Sequence, residues 1–168
     1  TGVLTTGAKA DMVSPSDYNE MTASMAALNA KAAELIQGLQ EVHACTDITG
    51  FGLLGHAYEM AAGSRAALCL KSGLIPLLHG ARQMAEMGII PSGAYRNMEY
   101  VRPHLSLHPS VPQALADLIA DPQTSGGLLV ALPPGEAEKL TQQLKAASLT
   151  GAVIGRVMER CDASIIIE

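Results

Sequence analysis

Short apolar runs alternate with segments of helical spacing along the whole sequence, and most junctions between them carry a proline or a glycine. That alternation constrains the fold more than any other feature: each strand needs a sheet, and each amphipathic helix needs a sheet to cover. Ser14-Pro15-Ser16-Asp17 is a helix start, with a capping hydroxyl, a proline at the first helical position and a carboxylate three residues after the serine. Behind it Tyr18, Met21, Met25, Leu28, Ala32, Leu35 and Leu39 recur at steps of three and four. The spacing predicts one helix of about six turns with a single apolar stripe. The stripe is read as a core face, with a dimer seam as the alternative, although the flanking opposite charges of a coiled coil are missing.

Glu41 to Thr46 reads as a strand, Phe51 to Ala62 as a helix closed by Gly63, and Arg65 to Leu70 as a second strand. Pro76 to Met87 reads as a helix stopped by Gly88, with Met84 and Met87 as core filler. Ile89 to Val111 shows no period and holds Pro91, Gly93, Pro103 and Pro109, so it is expected to be a long functional or partner-covered loop. Gln113 to Ala120 is a short helix before Pro122, Gly127 to Leu132 a strand, and Gly135 to Ala147 an amphipathic helix. Ala152 to Val157 and Ser164 to Ile167 are expected to close the fold as a hairpin around the polar turn Glu159-Arg160-Cys161-Asp162. The fold class is therefore α/β (α+β), a mixed β-sheet with packed helices, and 168 residues amount to one domain.

Composition removes several function classes. With 48% hydrophobic residues the chain folds, and its net charge of −5 argues against a surface that replaces phosphate counterions on nucleic acid. Aromatics are limited to Tyr18, Tyr58, Tyr95, Tyr100 and Phe51, which argues against stacking platforms for bases. No apolar run reaches membrane-spanning length, and the first residues have neither the basic start nor the apolar core of a signal peptide. Cys45, Cys69 and Cys161 have no CxxC spacing and read as small core thiols in a reducing cytoplasm. The chain opens on Thr1-Gly2 rather than Met, which suggests a piece of a longer protein.

The densest unusual segment is Cys45 to Gly55, between a predicted strand and a predicted helix. Gly50-Phe51-Gly52-Leu53-Leu54-Gly55 fits the dinucleotide fingerprint, but the acid that should follow the next strand is absent, since Leu70 to Leu74 offers only Lys71. Asp47 stands just ahead of the glycines, where it would repel a bare phosphate unless a divalent cation lay between them. A magnesium–nucleotide site answers that objection, with Asp47 as a hard oxygen ligand and Thr49, Gly50 and Gly52 as the anion turn. The competing reading has Asp47 or Thr49 capping the next helix and the glycines serving close packing. Asp121-Pro122-Gln123-Thr124-Ser125-Gly126-Gly127 is the second candidate, where Thr124, Ser125, Gly126 and Gly127 form either an anion cradle or a plain turn. It gains weight only if it folds beside Asp47. His43, His56, His79, His104 and His108 form no ligand motif, and His104 and His108 read as loop residues.

Ala44 to His56 and Asp121 to Leu129 resemble the two signature stretches of the C-terminal domain of the selenophosphate synthetase (selenide, water dikinase) family. Thr1-Gly2-Val3-Leu4-Thr5-Thr6 and Tyr95-Arg96-Asn97 fit as well, in order and spacing, so the resemblance covers essentially the whole chain. It implies the fold shared with aminoimidazole ribonucleotide synthetase C-terminal domains. The implied enzyme is an ATP-dependent phosphotransferase that makes selenophosphate from selenide and water, releases AMP and phosphate, and works as a magnesium-dependent cytoplasmic homodimer. Asp47 matches the family's metal ligand in this domain. The family's reactive Cys or selenocysteine, its nearby Lys and its glycine-rich segment belong to an N-terminal domain with no counterpart here. Residues 1–168 are thus expected to be the C-terminal domain of a two-domain enzyme, with no catalytic residue of their own; Cys45 reads as inert strand packing.

Two other functions compete: a non-catalytic module that dimerises or binds a partner through the Tyr18 to Leu39 stripe, and a relative using ATP on a different substrate. No nucleic-acid or membrane partner is expected.

Overall fold

The structure, a computed structural model, describes all residues from Thr1 to Glu168. Eight helices are formed: α1 (Gly2–Ala8), α2 (Pro15–Ala26), α3 (Ala30–Gln37), α4 (Gly52–Ser64), α5 (Ala81–Glu86), α6 (Ser92–Val101), α7 (Gln113–Ile119) and α8 (Pro134–Ala146). The strands are β1 (Ala44–Asp47), β2 (Ala66–Leu70), β3 (Leu105–Leu107), β4 (Leu128–Ala131), β5 (Gly155–Glu159) and β6 (Ile165–Ile167). They make an antiparallel ribbon of β1 and β4 and a mixed four-stranded sheet in the order β3-β6-β2-β5. The mixed α/β class read from the sequence is what the chain adopts.

The two closing strands do not form the expected hairpin. β2 lies between them, antiparallel to β5 and parallel to β6. Burial explains the order. β6 is Ile165-Ile166-Ile167, with Ile165 and Ile167 fully buried, and β2 is apolar throughout, so both take central positions. β5 carries Arg156 and Glu159 and takes the edge, where charged side chains are tolerated.

The predicted six-turn helix is two helices. Ala27 turns extended, at φ −69° and ψ 137°, and ends α2 without a proline or glycine to announce it. The two halves serve different neighbours: α2 lies against α1 and buries Met21, whereas α3 lies against α8 and buries Ile36. The single stripe is split at Ala27 between two helices, with Tyr18 half exposed and Leu28 84% exposed.

The supposed loop holds α6 and β3, and the opening hexapeptide is α1, whose Val3 and Leu4 are fully buried in the core. α5 is shorter than predicted. It starts only after Gly80, at φ 75°, where a Cβ would stand 2.9 Å from the Asp17 carboxylate. That turn also brings His79 Nδ1 to 2.6 Å from Asp17 Oδ1.

No helix is long and apolar enough to cross a membrane.

Candidate nucleotide site

The β1–β4 ribbon joins the two candidate segments. Asp47 pairs in register with Leu128, and beyond it the Ile48 N–H donates to the Gly127 carbonyl at 3.0 Å. The Gly126 N–H returns a bond to the Ile48 carbonyl at 3.0 Å, and the Gln123 N–H donates to the Thr49 carbonyl at 3.0 Å. The condition set by the sequence, that the second segment fold beside Asp47, is met.

Local chemistry explains the approach. A Cβ on Gly126 would lie 2.7 Å from the Ile48 carbonyl oxygen, so only glycine lets these backbones meet. Ser125 and Gly127 both have positive φ, 50° and 86°, which curls the turn back toward β1. Gly52 has φ 67°, and its Cβ would stand 2.8 Å from the Ala120 carbonyl, so α4 enters against the end of α7.

The capping alternative is overturned. No side chain caps α4; the Gly52 N–H bonds the Thr49 carbonyl, and the Thr49 hydroxyl sits 3.1 Å from His56 Nε2. The packing half of that alternative is fulfilled by Gly52. The dinucleotide reading also lacks its scaffold, because β1 and β2 flank α4 but belong to different sheets.

What the paired turns leave open is a set of donors. The N–H groups of Thr49, Gly50, Phe51, Ser125 and Gly127 make no hydrogen bond within the chain. Those of Gly52 and Gly126 are spent on the Thr49 and Ile48 carbonyls, and that of Thr124 on the Thr1 hydroxyl at 3.0 Å. Unpaired turn N–H groups are the kind of donor that an oxyanion site uses.

Asp47 is exposed at the end of β1. Its carboxylate is the hard oxygen donor magnesium prefers, but no group of three His, Cys, Asp or Glu side chains is placed to hold a metal ion. The donor set fits one ligand of a shared magnesium, not a complete cage.

Cys45 and Cys161 are exposed, contrary to the core-thiol reading; only Cys69 is buried. Partial burial and the neighbouring Asp47 charge push the Cys45 thiol up, which keeps it protonated and a poor nucleophile. Cys45 is thus held as a neutral thiol by partial burial first and by the Asp47 charge second, although its side chain is not packed in the core. His104 stacks on Tyr58 at 4.6 Å, and His108 Nδ1 meets the Ser110 hydroxyl at 2.7 Å.

The structure gives individual roles to two residues that the sequence named only inside longer stretches. The Asn97 side chain on α6 donates to the carbonyls of Gly50 and Ala120, both at 2.9 Å, and so ties the first motif to the end of α7, just ahead of the second. Asp121 is 1% exposed; its Oδ2 accepts from the Thr1 nitrogen at 3.1 Å and from Gln123 Nε2 at 2.9 Å. Asp121 Oδ1 has no partner, and a Cβ on Gly2 would stand 2.5 Å from it. Prolines 91 and 103 bracket α6, and reading them as boundaries rather than as breakers is the signal that finds it.

A cavity of about 730 Å³ lies elsewhere, between β4, α3, α8 and the β2–β5 pair. Its apolar wall, with Ile36, Leu129, Leu140 and Leu144, is unsuited to phosphate, and of the candidate residues only Gly127 lines it.

A family described as AIR synthase related protein, C-terminal domain, matches residues 3–168. A protein of Clostridium botulinum (strain Eklund 17B / Type B) named selenide, water dikinase is 41% identical over 167 residues, 99% of this chain and 48% of its own length. One of Peptoclostridium acidaminophilum, named selenide, water dikinase 2, is 44% identical over 168 residues, again 99% and 48%. The solved thiamine-monophosphate kinase of Stenotrophomonas maltophilia K279a aligns with 76% of this chain and 31% of its own, at TM-score 0.49 and 17% identity, a level that carries no functional argument. The chain spans about half the length of the curated relatives it matches. With the family matched across nearly its whole length, this chain belongs to the AIR synthase related proteins, as their C-terminal domain.

Proposed function

We propose that this chain is the C-terminal half of a selenide, water dikinase, the enzyme that turns selenide, ATP and water into selenophosphate, AMP and phosphate. The observation that carries the reading is the β1–β4 pairing, which sets the exposed Asp47 carboxylate beside five free N–H groups from two separate motifs. The full-length relatives that carry this domain bear that name.

In this reading the N–H groups of Thr49, Gly50, Phe51, Ser125 and Gly127 receive phosphate oxygens, while Gly52, Thr124 and Gly126 hold the turns in place. Asp47 is the chain's one magnesium ligand, and phosphates, water and an N-terminal domain complete the shell. Bound there, magnesium would neutralise the phosphate charge that Asp47 would otherwise repel. Phosphoryl transfer depends mostly on positioning and charge neutralisation, which is what a flank of fixed N–H groups and one carboxylate contributes. The complete protein works in the cytoplasm as a homodimer, without a nucleic-acid or membrane partner.

The test is AMP formation by the full-length protein that carries this chain, with magnesium and ATP, with and without selenide. AMP that appears only with selenide supports the reading; ATP turnover indifferent to selenide favours a family member acting on another substrate. Sedimentation of the same protein checks the dimer.

A further inference from the structure

A site for phosphate on a chain of net charge −5 needs positive charge, and within this chain the structure offers one source at the site. Lys31, Arg82, Arg102, Lys139 and Arg156 are each paired with a carboxylate. Arg96 on α6 is not; it touches only the Ser92 hydroxyl, at 3.2 Å, which leaves most of its guanidinium fork unused. Lys9, Arg65, Lys71, Lys145 and Arg160 also lack a carboxylate partner, but none lies on α6 or in the two motifs.

The placement of Arg96 follows from how α6 docks. Its neighbour Asn97 holds the Gly50 carbonyl and the Ala120 carbonyl at the end of α7, which fixes α6 against the Gly50 turn and the start of the segment that leads into the second turn. One turn earlier, Gly93 packs so closely on Pro122 that a Cβ would stand 2.6 Å from the proline Cγ. Arg96 Nη2 lies 3.9 Å from that same Cβ position. The guanidinium is therefore beside Pro122, at the head of the Pro122 to Gly127 turn, on a helix clamped to the Gly50 turn.

We propose that Arg96 binds a phosphate oxyanion at this site. The inference rests on the function proposed above and supplies within this chain a positive charge otherwise left to magnesium and an N-terminal domain. An arginine fork gives two directed donors where a lysine gives a point charge, so it both holds and orients a phosphate. The phosphate is either part of bound ATP or the orthophosphate product, and the test separates them.

In the full-length protein carrying this chain, Arg96→Ala, Arg96→Lys and, as a remote control, Arg160→Ala are compared. Mg–ATP and Mg–AMP affinities are read by calorimetry, together with KM for ATP, inhibition by orthophosphate and the thermal midpoint. Arg96→Ala is expected to weaken Mg–ATP binding by roughly ten- to a hundredfold, the effect of losing a hydrogen bond to a charged group. Arg96→Lys recovers part of that loss, while Arg160→Ala and the thermal midpoint stay at wild-type values. Loss of ATP affinity with AMP affinity intact places the contact on the outer phosphates; loss of orthophosphate inhibition alone places it on the product. Arg96→Ala binding Mg–ATP and orthophosphate as Arg160→Ala does overturns the proposal. So does an affinity loss matched by a fallen thermal midpoint and not eased by lysine. If wild type binds Mg–ATP but shows no selenide-dependent turnover, the proposed reaction fails while the binding data still decide the role of Arg96.

Discussion

Asn97 donates from its single amide nitrogen to the carbonyl of Gly50 and, at the same 2.9 Å, to that of Ala120, so one side chain couples the Gly50 turn to the end of α7, far apart in sequence. Asn97 is 6% exposed, and truncation leaves both carbonyls without this donor. Asn97→Ala is expected to lower stability by about 1–3 kcal/mol. Asn97→Asp, which puts a carboxylate against two carbonyl oxygens, is expected to cost at least as much. Denaturant melts check the stability, and faster amide exchange around Gly50 checks that the turn has loosened.

Gly52 and Gly63 lie in the same helix and should respond in opposite directions to the same change. Gly52 needs φ 67° and has no room for a Cβ against the Ala120 carbonyl, whereas a Cβ on Gly63 meets nothing within 4 Å. Gly52→Ala is expected to destabilise by roughly 2–5 kcal/mol, from left-handed strain and overpacking together. Gly63→Ala should stabilise by about 0.5–1 kcal/mol through helix propensity. Paired thermal melts of the two variants separate a packing glycine from a dispensable one.

The contact between Asp17 and His79 makes part of the stability depend on pH. The His79 hydrogen bond, then that of Ser14, hold the Asp17 carboxyl below its ordinary value of 3.8. The Asp17 hydrogen bond and charge hold His79 above its ordinary 6.5. The Asp17 share is present above 3.8 and fades as pH falls through its lowered value. The His79 share is complete below 6.5 and fades as pH rises through its raised value. His79→Ala should therefore lower the thermal midpoint most between those two ordinary values, and the gap to wild type should close on the alkaline side.

Periodicity and punctuation made the helix and strand inventory legible wherever a segment served one neighbour. They failed at Ala27, where nothing local marks a break that exists because α2 packs on α1 and α3 on α8. Strand order was not legible either, because a polar turn between two apolar runs suggests a hairpin, while full burial of Ile165 and Ile167 demanded a central place for β6. At the site, Asp47 and the glycine turns were visible as residue types, but their meeting depends on the Ile48–Gly127 pairing across nearly 80 residues. Arg96 and Asn97 stood out in the sequence only through the resemblance, within Tyr95-Arg96-Asn97; what each does comes from where α6 docks.

Asp47 is the most direct test, because the account makes it the one metal ligand this chain supplies. In the full-length protein carrying this chain, selenide-dependent AMP formation is measured across a magnesium titration for wild type, Asp47→Asn and Asp47→Ala. The account predicts a loss of about a hundredfold or more in both variants, with wild-type thermal midpoints because Asp47 is exposed and makes no side-chain bond. Wild-type turnover and an unchanged magnesium dependence in Asp47→Ala would contradict it.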